Sequence, residues 1–259
     1  ADGVSVAQAI AALAADPRVE RVQPNYTYSR QAVDPEFNEL WGLRNVGQFI
    51  GANTQAYGVS DVDIDGPEAW TKTTGSTSLK VAVIDTGVQI EHPDLASNVW
   101  ENPGENGLDA LGRDKATNKV DDDGNGFVDD INGWDFINDD NSPYDGERCV
   151  GSSSSTYDDF NNDDHGTHVA GTIAGARNGI GIQGVAPTVK VIPLKVIPCE
   201  KGETADVVNA LAYAKAMGAR IANMSLGGPG YDPDLKAAID ASGLLVVAAA
   251  GNGDFGSGS

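Results

Sequence analysis

The chain has 259 residues, 40% of them hydrophobic, which is enough for one large core with or without a short appendage. Its 38 acidic residues against 17 basic ones give a formal charge of −21, so nucleic acid and anionic membrane surfaces are poor partners. With no apolar run of about 18 residues, the sequence predicts no membrane span. The acidity itself fits either a solvated surface or, locally, calcium ligation.

The first 78 residues predict only short elements. Residues 5–15 have the pattern of an amphipathic helix that ends at Asp16-Pro17, and residues 18–23 alternate as a strand does. Residues 31–78 are rich in Gly and Asn, with a short element at 67–70.

The rest of the chain alternates predicted strands with predicted helices. Strands are predicted at 80–85, 189–196, 220–225 and 244–249, helices at 168–176, 204–217 and 232–241, and a long polar loop at 101–164. This alternation predicts an α/β domain with a mostly parallel central sheet and helices on both faces. Functional residues gather at the carboxyl ends of such strands, where Asp85, Ser225 and Asn252 each follow an apolar run.

Two segments carry residues suited to acid–base chemistry. In Val83-Ile-Asp85-Thr-Gly87, a buried Asp at a strand end can hold an imidazole in one tautomer and stabilise its protonated form. In the segment from His165 to Gly171, the His that enters a helix can take a proton from a nucleophile. Each segment alone fits a cap or turn role equally well. We expect His168 and His92 to be structural.

Taken together and in this order, the two segments resemble the subtilisin family of serine proteases, the subtilases. The resemblance continues through Asn223-Met-Ser225-Leu-Gly-Gly228 and Val247-Ala-Ala-Ala-Gly-Asn252, and so covers residues 80–253. It implies a secreted endopeptidase that acts on protein or peptide substrates through an Asp-His-Ser triad. In that reading Asp85 orients His165, the general base, and Asn252 donates to the oxyanion.

The resemblance also implies how substrate is held. Ser225, Leu226, Gly227 and Gly228 match the strand that pairs with an extended substrate, and Gly202 lies near the opposite strand. Ser225 is interpreted as a wall residue, because no activating base accompanies it in the motif.

The family's nucleophile motif, Gly-Thr-Ser-Met-Ala or similar, does not occur in the sequence. Ser257, Ser259 and the serines at 152–155 lack its context. We therefore expect residues 31–259 to be the N-terminal two-thirds of a subtilisin-like domain that is incomplete at its C-terminus and inactive alone. The alternative is an inactive peptide-binding or calcium-binding surface module on the same fold.

An acidic loop at 121–130 predicts a calcium site. It has the opening pattern of an EF-hand loop, but Asn132 stands where that loop has its closing Glu. Asp129 or Asp130 would have to close the site, and a solvated acidic turn is the alternative. The predicted ligands are Asp121, Asp123, Asn125, Phe127, Asp129 and Asp130.

Two further calcium sites are implied by the resemblance alone. The first has the side chains of Asp34, Asp94 and Asn178 and the carbonyls of Ala176, Ile180 and Ile182 as ligands. The second has Asp135, Asp140 and Ser142, although single Asp residues in turns often serve only the turn. A glycine pattern at 179–184 fits a dinucleotide fingerprint, but it follows a predicted helix and precedes a strand, so we do not expect a nucleotide there.

Residues 1–30 resemble the end of an inhibitor-type propeptide that is cut between about Asn25 and Val33. In the family such a segment acts as an intramolecular inhibitor. A plain N-terminal helix and strand of the main domain is the alternative. Cys149 and Cys199 could form one disulfide outside the cell or remain free thiols. We expect a monomer.

Overall fold

A computed structural model describes residues 12–16, 18–19, 34–51, 56–145, 164–198, 202–228 and 230–251. The chain forms two compact units, Ala1–Ala32 and Val33–Ser259. In the first unit residues 12–14 are helical, within the helix predicted at 5–15. The rest of that helix and most of the strand predicted at 18–23 lie outside the described residues. No helix in the described part is long and apolar enough to cross a membrane.

The second unit contains the α/β elements in alternating order. The helices are α1 (Gly66–Trp70), α2 (Asp164–Ala174), α3 (Thr204–Ala216) and α4 (Pro233–Ser242). The strands are β1 (Lys80–Asp85), β2 (Trp134–Asp135), β3 (Lys190–Lys195), β4 (Ile221–Met224) and β5 (Leu245–Ala248). The four predicted strands are confirmed to within about one residue at each end. The two-residue β2 falls inside the segment predicted as loop.

The five strands form one parallel sheet in the order β2-β3-β1-β4-β5. Asp85 at the end of β1 is in register with Lys195 at the end of β3. On the other side of β1, Val83 is in register with Asn223 of β4, and Ser225 follows just beyond it. Because all strands run the same way, their carboxyl ends share one edge of the sheet, and Asp85 lies in the middle of that edge.

Side chains of the central strand alternate between two apolar layers. Val81 and Val83 pack in a cluster with Ala170 and Ala174 of α2. Ala82 and Ile84 pack on the opposite face, in a cluster that includes residues of α3. Successive side chains of a strand point to opposite faces of the sheet. A strand that is buried on both sides therefore needs helices that cover both faces of the sheet. The predicted fold class is confirmed.

The start of α2 differs from the prediction. The sequence predicts a helix from His168, but α2 begins at Asp164, so His165 lies in its first turn. The glycine at 166 favoured a turn because glycine is a weak helix former. A Cβ at Gly166 would collide with the carbonyl oxygen of Gly87, so the glycine serves a close approach of helix to turn.

Candidate functional site

Asp85 and His165 meet at the carboxyl edge of the sheet. The His165 Nδ1 atom lies 2.6 Å from Asp85 Oδ1, although the two residues are 80 positions apart in the chain. The Asp85 side chain is fully buried, whereas the His165 side chain is 57% exposed. A buried carboxylate that accepts from Nδ1–H leaves the Nε2 lone pair available on the exposed side of the ring. The pair is therefore arranged as a general base with its orienting carboxylate.

Three backbone contacts fix this arrangement. The Thr86 amide donates to Asp85 Oδ1 at 2.7 Å, which holds the carboxylate in place. The Gly166 amide donates to Thr86 Oγ1 at 3.0 Å, and the Gln89 amide donates to Thr167 Oγ1 at 2.9 Å. The last two of these bonds join the turn after β1 to the first turn of α2. His165 is thus positioned by the same contacts that hold Asp85.

The predicted substrate-binding residues follow β4. Ser225 and Leu226 are half-buried, and Gly227 and Gly228 are exposed. Within the described part of the chain, no main-chain hydrogen bond uses the amides or carbonyls of 225–228. Such an edge can accept an added peptide strand. The Ser225 hydroxyl accepts from Asn223 Nδ2 at 2.9 Å, a contact that suits a wall residue.

The other two predicted site residues are less informative. Gly202 is exposed just before α3, and a Cβ there would collide with the Val196 carbonyl oxygen. Asn252 lies outside the described residues, as do Cys149 and Cys199. The oxyanion role of Asn252 and the disulfide stay predictions.

Asp34 and Asp94 form the centre of the first predicted calcium site. Asp34 Oδ1 accepts from the amides of Asn178 and Gly179 at 3.2 and 2.7 Å. Asp94 Oδ2 accepts from the Ile182 amide at 2.8 Å. Asp34 and Asp94 are only 1% and 4% exposed, and the second oxygen of each is buried without a partner among the described residues.

The same loop supplies the remaining predicted ligands of this site. The Ala176 amide donates to the Asp94 carbonyl, and the Asn178 side chain bonds the Pro93 carbonyl and the Ile180 amide. Buried carboxylate oxygens without partners suit a hard cation such as Ca²⁺. The 179–184 glycine pattern lies in this loop, after α2 and before β3, which is the order of elements that the sequence predicts.

The acidic loop at 121–130 divides its carboxylates between two roles. Asp121 accepts from the amides of Gly124, Asn125 and Gly126 and so closes the loop on itself. Both oxygens of Asp129 accept from the Lys119 amide.

Asp123 and Asp130 instead converge with a third carboxylate, Glu105, to within 4.8 Å. The Phe127 ring packs edge-on against Tyr213, with ring centroids 4.8 Å apart, and fixes the loop to α3. Burial raises the pKa of both Glu105 and Asp130. It also raises the pKa of the Tyr213 hydroxyl, which donates to Asp130 at 2.5 Å.

Asp135 and Asp140, predicted as a third site, pair through their backbones at 2.9 and 3.2 Å. Asp135 accepts from the amides of Ile137 and Asn138, and the Ser142 amide donates to Asp140 Oδ1. The pKa of Asp135 is raised to about 6, mainly because its carboxylate is buried.

A cation already lies close to this predicted third site. Lys195 Nζ, almost fully buried, forms an ion pair with Asp145 at 2.8 Å. Its charge acts to lower the pKa of Asp135. The third metal site therefore stays a prediction with little support.

Sequence reasoning missed Glu105 and Lys195. Glu105 stands in Asn-Pro-Gly-Glu, a turn-forming stretch well before the acidic loop, with no ligand spacing to mark it. Lys195 ends a strand whose apolar pattern gave no reason to expect a buried ammonium. Each of the two residues can be recognised only in the folded chain, where distant segments come close together.

The chain has clear relatives among known proteases. It is 34% identical over 194 residues to the major intracellular serine protease of Bacillus subtilis, covering 73% of this chain and 47% of that protein. It is 31% identical over 253 residues to the thermophilic serine proteinase of Bacillus sp. strain AK1, covering 96% and 48%. It is 31% identical over 194 residues to thermitase of Thermoactinomyces vulgaris, covering 73% and 52%.

The chain thus spans about half the length of these relatives. Residues 76–259, most of the chain, match peptidase S8, the subtilase family. That match includes β1, α2 and the Asp85–His165 pair between them. On this match and these relatives, the chain belongs to the subtilase family of serine proteases.

Proposed function

We propose that the chain forms the Asp-His half of a serine endopeptidase, with the nucleophilic serine supplied by the protein beyond these residues. The observation that carries the proposal is the 2.6 Å contact between a fully buried Asp85 and an exposed His165. A carboxylate kept out of water, next to an imidazole that faces solvent, is the arrangement that general-base catalysis requires.

The residues take the following roles. His165 Nε2 takes the serine hydroxyl proton as the oxygen attacks the scissile carbonyl, and later gives that proton to the leaving amine. Asp85 stabilises the imidazolium that forms between these steps. The Asn252 amide donates to the developing oxyanion. Residues 225–228 bind the substrate as an added strand, using main-chain groups that have no main-chain partner among the described residues.

Hydrolysis of a peptide amide by the full-length protein tests this proposal. His165→Ala should reduce kcat by several orders of magnitude with a small change in KM, because the ring acts on the transition state. Equal turnover by the variant would contradict the assignment. An inactive wild-type protein that still binds peptide would favour the non-catalytic module instead.

Calcium at the Asp34–Asp94 site is part of the proposal. Its support is the pair of buried carboxylate oxygens without partners and the loop at 176–182 that surrounds them. When bound, the ion would neutralise the two carboxylates and stabilise the loop, away from the reacting atoms.

We also propose that residues 1–30 are the C-terminal part of an inhibitory propeptide, that the protein is secreted, and that it acts as a monomer. The match to the thermophilic serine proteinase covers 96% of the chain and so extends well before residue 76, where the family match begins. Secretion has its support in the propeptide resemblance and in a cysteine pair that could form a disulfide. Thiol titration of the denatured, unreduced protein tests the pair, and two free thiols would refute the bridge.

A further inference from the structure

Asn-Gly dipeptides are places where a protein chain can modify itself. Glycine has no Cβ, so its backbone nitrogen can approach the carboxamide of the preceding asparagine, attack its Cγ and close a five-membered succinimide ring. The described part of the chain contains four such pairs, and a fifth, Asn252-Gly253, lies outside it. The four are Asn106-Gly107, Asn125-Gly126, Asn132-Gly133 and Asn178-Gly179. Whether a pair reacts depends on how the fold holds the attacking nitrogen and the carboxamide.

In two of the four pairs the glycine nitrogen is already hydrogen-bonded. The Gly126 amide donates to Asp121 Oδ2 at 2.8 Å, and the Gly179 amide donates to Asp34 Oδ1 at 2.7 Å. Each bond has a carboxylate oxygen as its acceptor and must break before the nitrogen can attack Cγ. Hydrogen bonds to charged groups are stronger than those between neutral groups, so the fold protects both pairs.

The Asn132-Gly133 pair is held by packing. Gly133 is buried, and a Cβ added to it would collide with the Pro193 carbonyl oxygen, so little space remains beside the glycine for ring closure. Asn132 Nδ2 donates to the Trp100 carbonyl oxygen at 3.0 Å, which fixes the carboxamide. The fold therefore protects this pair as well.

The Asn106-Gly107 pair has neither kind of protection. Both residues are exposed. Among the described residues no acceptor bonds the Gly107 amide, and a Cβ added to Gly107 would meet no atom within 4 Å. The Asn106 side chain makes one hydrogen bond, from Nδ2 to a Glu101 carboxylate oxygen at 3.0 Å, and this bond does not involve Oδ1. The attacking nitrogen and the carbon that it would attack are thus both accessible.

We propose that Asn106 is a site of spontaneous deamidation, which converts it to aspartate and isoaspartate with water as the co-reactant. The Gly107 nitrogen loses its proton to solvent and bonds to Asn106 Cγ. The Cγ–Nδ2 bond breaks, and Nδ2 leaves as ammonia after taking a proton from solvent. Water then opens the succinimide ring. Cleavage of the bond from nitrogen to Cγ gives aspartate, and cleavage of the bond from nitrogen to the backbone carbonyl carbon gives isoaspartate.

Either product weakens the segment at 101–115. The Nδ2 donor to Glu101 is lost, and a carboxylate takes its place, so two negative charges repel each other where a hydrogen bond was. Isoaspartate also lengthens the backbone by one carbon directly before Gly107, whose carbonyl oxygen accepts from the Lys115 amide at 2.9 Å. Deamidation at Asn106 should therefore lower the melting temperature of the protein as it ages.

Peptide mapping of the full-length protein tests the proposal. The protein, treated with a serine-directed inhibitor against self-digestion, is held in mildly alkaline buffer, and the four Asn-Gly peptides are followed by mass spectrometry. Asn106 should convert at least about tenfold faster than each of the other three asparagines, because those must first lose a hydrogen bond or a packed position. In denaturant the four rates should come together. Conversion of Asn106 no faster than the others, or a preference that persists in denaturant, would overturn the proposal.

Thermal unfolding before and after the same incubation measures the consequence. Asn106→Gln keeps an amide donor, but its longer side chain would have to close a six-membered ring, so its melting temperature should stay constant while that of the wild type falls. Asn132→Gln makes the same change at a protected pair and should lose as much as the wild type during incubation. An equal fall in Asn106→Gln and the wild type would contradict the effect on stability. Peptidase activity is not a readout, so failure here leaves the proposed function unaffected.

Discussion

The proposed catalytic pair, Asp85 and His165, depends on a close approach between two backbones. Gly166 in α2 faces the Gly87 carbonyl and lies beside Asp85, with no space for a Cβ. His165 is adjacent to this contact and is positioned by it. The sequence made Asp85 and His165 predictable because each stands in a compact local motif. The approach of Glu105 to Asp123 and Asp130 was not predictable, because it depends only on a partner segment brought near by folding.

Gly166→Ala should destabilise the protein by about 1–3 kcal/mol and lower kcat, because the added methyl group must push the helix away from the Gly87 turn. Gly171→Ala is the matched control in the same helix, since its Cβ would meet only the Ile182 side chain at 3.6 Å. That variant should be neutral or gain up to about 1 kcal/mol from helix propensity. Melting temperatures and kcat of the full-length variants measure both effects. Equal behaviour of the two would show that the close approach has no consequence.

Asp85→Asn should lower kcat by about ten-thousand-fold with KM nearly unchanged. An amide in place of the carboxylate favours the wrong His165 tautomer and cannot stabilise the imidazolium. Steady-state kinetics on a peptide amide measures this. Asp139→Asn makes the same chemical change at an exposed turn and should leave kcat intact. A loss of less than tenfold in Asp85→Asn would contradict the assigned role.

At the scale of elements, local pattern was sufficient for four strands and for the three longer helices α2, α3 and α4 of the described residues. It failed where contacts with distant segments determine whether an element forms or where it begins. β2 has only two residues, Trp134 and Asp135, and exists because these pair with the end of β3. The start of α2 was placed too late, because a glycine needed for packing has the same local signature as one needed for a turn. The order of strands has no local signature and follows from crossover connections.

Calcium bound at the loop 176–182 should stabilise the folded protein, and the melting temperature should rise with the calcium concentration. An ion held only by the folded state adds about 2.7 kcal/mol when its concentration is a hundred times Kd. Chelation should therefore lower the melting temperature, and Asp94→Asn should reduce the difference between calcium and chelator. Asp114→Asn serves as the charge control. A calcium response of wild-type size in Asp94→Asn would exclude Asp94 as a ligand.

At the scale of the molecule, the chain has two units, and Asp85 and His165 both lie in the second. The sheet of that unit ends, among the described residues, at β5, where Leu245 and Val247 are 64% and 50% exposed. Exposed apolar residues on an edge strand favour further packing. This agrees with a chain that spans about half the length of its relatives.

A peptide of residues 1–30 should inhibit the processed full-length protease reversibly, because an inhibitory propeptide leaves its end in the substrate cleft. Initial rates against a peptide substrate, at increasing concentrations of the inhibitor peptide, measure this. A peptide of the same composition in scrambled order is the control. If the native-order peptide does not inhibit, the propeptide proposal is contradicted and the catalytic proposal is unaffected.

The central claim is that Asp85 and His165 activate a serine, and covalent labelling tests it most directly. The full-length protein would be treated with a serine-directed fluorophosphonate, and the rate and site of labelling would be found by mass spectrometry. The claim predicts rapid labelling of one serine outside residues 1–259 and its loss in His165→Ala. No labelling, or labelling at the same rate in His165→Ala, would contradict the claim and leave a subtilase fold without the chemistry.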